Sequence, residues 1–220
     1  NVASQAVANQ GTKSGLVGHW TFNGGDTVKG ATSWFRDLSG NSNDATTTNA
    51  TVSSGKIGQA AYFNGVSSVI RANPSNSINN LTKFTISMWV KTPTQRATQI
   101  LLRKIDLAGN ELYQLSLGSS KLKVNTTVAA FTGNTTILAN KWYHFVGVYD
   151  GANVVGYING VADGTPQAQT GTITTNAERS LVIGATNTPN TFFSGSIDDV
   201  RIYNTALSAN EIYSLYMYGK

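Results

Sequence analysis

From Leu16 onward, apolar residues recur in short alternating runs, and each run is cut by a turn signal before a helix could complete three turns. Phe84-Thr85-Ile86-Ser87-Met88-Trp89-Val90-Lys91 is the clearest case. Successive strand side chains point to opposite faces, so Phe84, Ile86, Met88 and Val90 share one side while Trp89 points to the other. His19-Trp20-Thr21-Phe22 and Gln59–Phe63 read the same way, and the latter ends at Asn64-Gly65, a pair that tolerates positive φ in a tight turn. Further strands are expected at 99–104, 113–117, 122–126, 142–149, 154–158, 181–183 and 196–203, with Asp150-Gly151 and Asn159-Gly160 as turns. Many short strands without interleaved helices predict antiparallel sheets packed face to face, not alternating βαβ units.

Only one helix is expected, near the C-terminus. Ser208-Ala209-Asn210-Glu211 is a capping box: the serine hydroxyl accepts the amide three residues on, and the glutamate reaches back. Ile212, Leu215 and Tyr216 would then cover one end of the sandwich. Residues 1–14 are polar and alanine-rich with no face to bury, and read as a linker or the end of an upstream segment. Residues 15–220 form one all-β domain, long enough to bury a large core without staples. With no visible leader, the chain reads as a mature or excised fragment.

Composition removes several classes of function. The chain has 220 residues, a formal charge of +5, no cysteine and only 12% charged residues. Disulfides are excluded, and no apolar run approaches the ~20 residues of a membrane-spanning helix, so this segment is expected not to insert in a membrane. The cations are scattered, the closest being Arg103-Lys104 and Lys121-Leu122-Lys123, which argues against nucleic acid as a partner. Polarity with little charge leans toward an extracellular or cell-surface protein.

Catalytic equipment is sparse. The three glutamates are Glu111, Glu178 and Glu211, and Glu211 is committed to the helix cap. Glycoside hydrolysis needs two carboxyl groups flanking the scissile bond, and of these glutamates only Glu111 has another acid, Asp106, within five residues, a spacing that does not build the pair on one strand. The two histidines, His19 and His144, sit beside strand tryptophans, where packing is the expected role. The expectation is that the chain is not an enzyme.

Ordered segments along the chain carry a family resemblance: Gly15–Phe22, Asp37-Leu38-Ser39-Gly40-Asn41, Gly58–Gly65, Phe84–Lys91, Trp142-Tyr143-His144-Phe145, Tyr149-Asp150-Gly151, Tyr157–Gly160, and the closing Gly195-Ser196-Ile197-Asp198-Asp199-Val200-Arg201-Ile202-Tyr203. Together they resemble the laminin-G-like (type 3) modules of the concanavalin A-like lectin/glucanase superfamily, over residues 15 to about 218. The resemblance implies a jelly-roll sandwich of two antiparallel sheets with the first and last strands adjacent. It also implies a structural Ca²⁺ held by Asp198 and by carbonyls near Asn23 and Gly24, with Asp37 as a further ligand; the alternative for Asp37 is a turn stabilised by its own carboxylate. Asp198 and Asp199, as neighbours on a strand, are not expected to grip one ion together.

The resemblance implies glycans, or cell-surface and extracellular proteins, as partners. Sugar rings stack on aromatics while amides and hydroxyls meet their hydroxyl groups, which makes Trp34, Tyr113, Asn190, Phe192 and Phe193 the ligand-binding candidates. The leading expectation is non-catalytic carbohydrate recognition. The alternatives are an adhesive or structural head of a surface fibre or pilus-like protein, suggested by residues 1–14, and, more remotely, a degenerate glycoside hydrolase.

Overall fold

The computed structural model describes residues 14–28, 34–79, 81–93, 98–127, 129–169, 173, 180–186 and 191–220. The strands are β1 (Leu16–Trp20), β2 (Thr27–Val28), β3 (Trp34–Phe35), β4 (Ala45–Thr48), β5 (Thr51–Ser54), β6 (Gln59–Asn64), β7 (Val69–Ala72), β8 (Phe84–Lys91) and β9 (Thr98–Ile105). They continue with β10 (Glu111–Gly118), β11 (Lys121–Thr126), β12 (Ala130–Thr132), β13 (Tyr143–Tyr149), β14 (Asn153–Ile158), β15 (Val161–Ala162), β16 (Gln167–Ala168), β17 (Leu181–Ile183) and β18 (Ser194–Tyr203). A single helix, α1 (Ala209–Tyr218), follows them.

Two antiparallel sheets result. The first runs β15-β14-β13-β8-β18-β6-β5, with β1 also on β18 and β16 on β14; the second runs β12-β11-β10-β9-β17-β7-β4-β3-β2. The expected closure is present: Leu16 pairs with Tyr203, His19 with Arg201 and Trp20 with Val200. Strand β8 keeps its predicted alternation, with Phe84, Ile86, Met88 and Val90 in the inter-sheet core. Thr85, Ser87 and Trp89 on its other face are buried too: α1 brings Tyr216 to 5.7 Å from the Trp89 ring and lays Ile212 and Leu215 over Val146, Val148 and Tyr203 of the neighbouring strands. Fully burying side chains such as Trp20, Phe63, Phe84 and Phe145 contributes about 1.5–3 kcal/mol each.

The capping box forms as expected, with both reciprocal bonds made between Ser208 and Glu211. Asn159-Gly160 is the expected turn, with φ of +52° and +81°. Asn64-Gly65 differs. Gly65 alone of that pair has positive φ, and the Asn64 carboxamide oxygen accepts the amides of Val66, Ser67 and Ser68, so a side chain rather than a two-residue turn organises the bend.

The expected reading of residues 1–14 falls, Ser14 apart, outside the described residues, and so does the motive for a fibre-head role.

Candidate functional site

Asp198 stands on β18 just before a β-bulge. Asp198 pairs with Trp89 and Arg201 with Ser87, and the extra residue is taken up by Asp199 at φ +48°. The bulge gives the two carboxylates separate partners. Asp199 accepts from His19 Nε2 at 2.8 Å and lies 3.1 Å from Arg201 Nη2, a buried pairing that holds its carboxyl below the usual range against the opposing effect of burial.

Asp198 makes no ion pair with a cationic side chain among the described residues. Its Oδ2 accepts the amides of Lys56 and Ile57, each at 2.8 Å, in the loop between β5 and β6. Its Oδ1 is buried with no hydrogen-bond partner. Burial, and then the charge of Asp199, push its carboxyl up to about 7 despite those amides. The same loop binds the end of β1: Asn23 Oδ1 accepts the Gln59 amide at 2.8 Å, and Gly24 donates its amide to Gln59 Oε1 at 2.7 Å. The 55–59 loop thus gathers Asp198, Asn23 and Gly24 into one neighbourhood. A buried carboxylate oxygen without a donor, beside a second carboxylate, is costly, and a hard cation with backbone carbonyls would relieve it.

Asp37 does other work. Its Oδ1 accepts the amides of His19 and Ser39, and its Oδ2 accepts the Ser39 hydroxyl and the Asn43 amide. With four donors from the chain itself, Asp37 is the keystone of a turn, and its place in the expected calcium shell is corrected accordingly.

The second candidate is the face of the second sheet turned away from the core. Strand register carries one row across it. Trp34 lies opposite Thr46, Thr46 opposite Arg71, Arg71 opposite Val182, Val182 opposite Arg103, Arg103 opposite Gln114, and Gln114 opposite Asn125. The adjacent row, Phe35, Ala45, Ala72 and Leu181, is buried core, so alternation puts the first row outside. Arg103 pairs with Glu111 at 3.2 Å, yet its Nε is buried without an acceptor, and Asn125 Oδ1 is buried without a donor. Arg71 makes no ion pair with any described residue. Val182 and Gln114 are buried, while Thr46, Arg71, Arg103 and Asn125 are partly exposed, so these four carry the polar groups of the row that a partner could reach.

The aromatic candidates separate. Trp34 is half-buried at one end of that row. Phe192, half-buried, pairs with Ala185 and packs against the apolar Val69–Val182–Ala185 cluster. Tyr113 is corrected to a core residue: it is buried against Phe84 and its hydroxyl donates to the Ile78 carbonyl at 2.9 Å. Phe193 is corrected likewise, being fully buried edge-on against Phe63 at 5.8 Å. Asn190 lies outside the described residues.

The histidines are packed. His144 is buried with Nε2 2.8 Å from the Ser87 hydroxyl, and its ring is 5.1 Å from that of Trp89; burial pushes it down to about 3. A serine–histidine pair sealed this way offers no route for substrate. Of the glutamates, Glu111 is held by Arg103, Glu211 caps α1, and Glu178 lies outside the described residues.

A family model for the concanavalin A-like lectin/glucanases superfamily, of the third laminin-G type, matches residues 63–213. The chain belongs to this superfamily. Domain 4 of AbnA, a GH43 extracellular arabinanase from Geobacillus stearothermophilus solved in complex with arabinotriose, is 26% identical to this laminin-G-like chain, with a TM-score of 0.72 over 91% of this chain and 98% of that one. The binding domain of Paraclostridial Mosquitocidal Protein 1 matches with 19% identity and a TM-score of 0.73, over 95% of this chain and 52% of that one. Trypanosoma rangeli sialidase in complex with sialic acid matches at 20% and 0.70, over 92% of this chain but only 32% of the sialidase. The last two likenesses speak for the fold alone. Among the described residues no helix is long and apolar enough to cross a membrane.

Proposed function

We propose that this laminin-G-like domain is a non-catalytic carbohydrate-recognition module that works outside the cell or at its surface. The observation that carries the reading is the polar row from Trp34 to Asn125, where the hydroxyl of Thr46, the guanidinium groups of Arg71 and Arg103 and the amide of Asn125 belong to partly exposed residues on the face turned away from the core. Such groups recognise saccharides by hydrogen bonding, and the flanking Trp34 supplies an apolar ring face. The likeness to an arabinanase domain solved with arabinotriose, over nearly the whole length of both chains, supports a glycan as the partner. The engagement of Glu111 with Arg103 and of Glu211 with the helix cap supports binding without hydrolysis. The test is a glycan panel including arabino-oligosaccharides, run in calcium and followed by product analysis. Binding without cleavage is expected; cleavage abolished by an acid substitution, or a folded protein that binds no glycan, would overturn the reading.

The proposal includes a structural Ca²⁺ beside Asp198. The unpartnered Oδ1, its carboxyl pushed up by burial, fits a hard cation. Asp198 and backbone carbonyls of the Asn23–Gly24 turn would hold it. The ion would neutralise buried negative charge and tie the end of β1 to the 55–59 loop and β18. Its role is to brace the fold and not to carry the chemistry of recognition.

A further inference from the structure

The outer face of the first sheet carries a groove of about 450 Å³ beyond the reach of α1, near its β5 edge. It lies within the ~300–1,000 Å³ typical of small-molecule sites. Register again places the groups: Tyr62 lies opposite Ser196, and Ser196 opposite Lys91. The flanking Ala61, Phe63, Val90 and Ile197 point into the core, so this row faces out. Tyr62 is 42% exposed, an aromatic ring at the surface rather than in the core. Ser53 and Asn140 line it as well.

Three properties single the groove out. First, none of the side chains of Ser53, Tyr62, Lys91, Asn140 or Ser196 makes a hydrogen bond or ion pair with a described residue, and the Ser53 hydroxyl oxygen is buried without a partner. Second, every lining residue is uncharged except Lys91, so the groove has one net charge and it is positive. Third, that ammonium is steadied over the Trp142 ring at 5.1 Å, which positions it while leaving its hydrogen-bond donors available. Hydroxyls and an amide beside an exposed ring match sugar hydroxyls and a sugar's apolar face. A lone ammonium matches a carboxylate.

We propose that this groove is a second binding site, on the sheet opposite the Trp34–Asn125 row, and that it takes a carboxylated saccharide of the uronic or sialic acid type. The Tyr62 ring is the stacking platform, Lys91 pairs with the sugar carboxylate, and Asn140 and Ser196 meet hydroxyls. Two sites on opposite faces would let one module bridge two glycan chains.

The experiment is calorimetric titration with trigalacturonate and with sialyllactose, on the wild-type protein and on Tyr62→Ala, Lys91→Gln and Arg71→Ala. Methyl-esterified trigalacturonate is the neutral control. Wild type should bind at least one acidic probe, and Tyr62→Ala and Lys91→Gln should each weaken it roughly tenfold or more. Lys91→Gln should leave the methyl ester unaffected, and Arg71→Ala should leave all groove binding intact. Failure of both acidic probes, equal affinity for acid and ester, or a loss that follows Arg71→Ala instead would overturn the proposal. Arabinotriose titrated in parallel reports on the opposite face, so the two readings fail separately. Thermal melts check that the variants, all at solvent-facing positions, remain folded.

Discussion

Removing the charge at Asp198 should reverse how this domain responds to pH and to calcium. In the metal-free protein its carboxyl is raised from an ordinary 3.8 to about 7, first by burial and then by Asp199. The folded state therefore keeps its proton at pH values where the unfolded chain has released it. Stability from this group is fully present below pH 3.8 and is lost as pH rises through about 7. At about 1.36 kcal/mol per pH unit, the interval amounts to about 4 kcal/mol by pH 8. For a domain of this length that corresponds to a melting temperature lower by on the order of 10 °C. Calcium at a hundredfold excess over its dissociation constant would return about 2.7 kcal/mol. The assay is calorimetric melting at pH 5 and pH 8, each in EDTA and in calcium, for wild type and Asp198→Asn. Asparagine keeps an oxygen for the Lys56 and Ile57 amides but carries no charge. The variant should melt above wild type in EDTA at pH 8, and calcium should raise wild type alone, more at pH 8 than at pH 5. A wild-type transition that calcium leaves unchanged at pH 8, or an equal response of Asp198→Asn, would exclude an ion at this carboxylate.

Other residues give independent outcomes. His144, held near 3 by burial, resists the proton that the unfolded chain accepts below 6.5, so its contribution is complete above pH 6.5 and falls as the medium is acidified toward pH 3. His144→Gln should flatten that loss by up to about 1.36 kcal/mol per pH unit in urea denaturation, and an unchanged slope would contradict the assignment. Gly184 combines φ +80° with a position where an added methyl would sit 2.1 Å from the Phe63 ring. Gly184→Ala should lower stability by more than about 2 kcal/mol, and a neutral result in the same assay would show the segment to be more yielding than the packing implies.

How much of this was legible beforehand depended on whether a feature is local or assembled. The alternation of Phe84–Lys91 and the Ser208–Glu211 box are readable because each rests on a strong nearby pattern, whereas the pairing of the first and last strands, at opposite ends of the chain, follows only from the family resemblance. β4 (Ala-Thr-Thr-Thr) and β5 (Thr-Val-Ser-Ser) were missed because threonine and serine strands carry little apolar contrast. The bulge at Asp199 was equally hidden, since nothing in Asp198-Asp199-Val200 announces a left-handed residue within a strand. Asp198 is legible as a cation ligand candidate through its segment, but the amides of Lys56 and Ile57 that its other oxygen accepts come from a loop over 140 residues away in sequence. Among the aromatics, sequence could not separate Tyr113 and Phe193, which fill the core, from Trp34, which ends an outward row. Arg71, Arg103, Gln114 and Asn125 gave only a weak signal, as polar residues at alternate strand positions. Their alignment is a product of register across six strand pairings.

Whether the outward row of the second sheet binds sugar can be read residue by residue from amide chemical-shift mapping of the labelled domain titrated with arabinotriose. Saturable shifts should concentrate at Thr46, Arg71, Arg103, Gln114 and Asn125 and vanish in Arg71→Ala. Shifts confined to other surfaces, or none at saturating sugar, would contradict binding there.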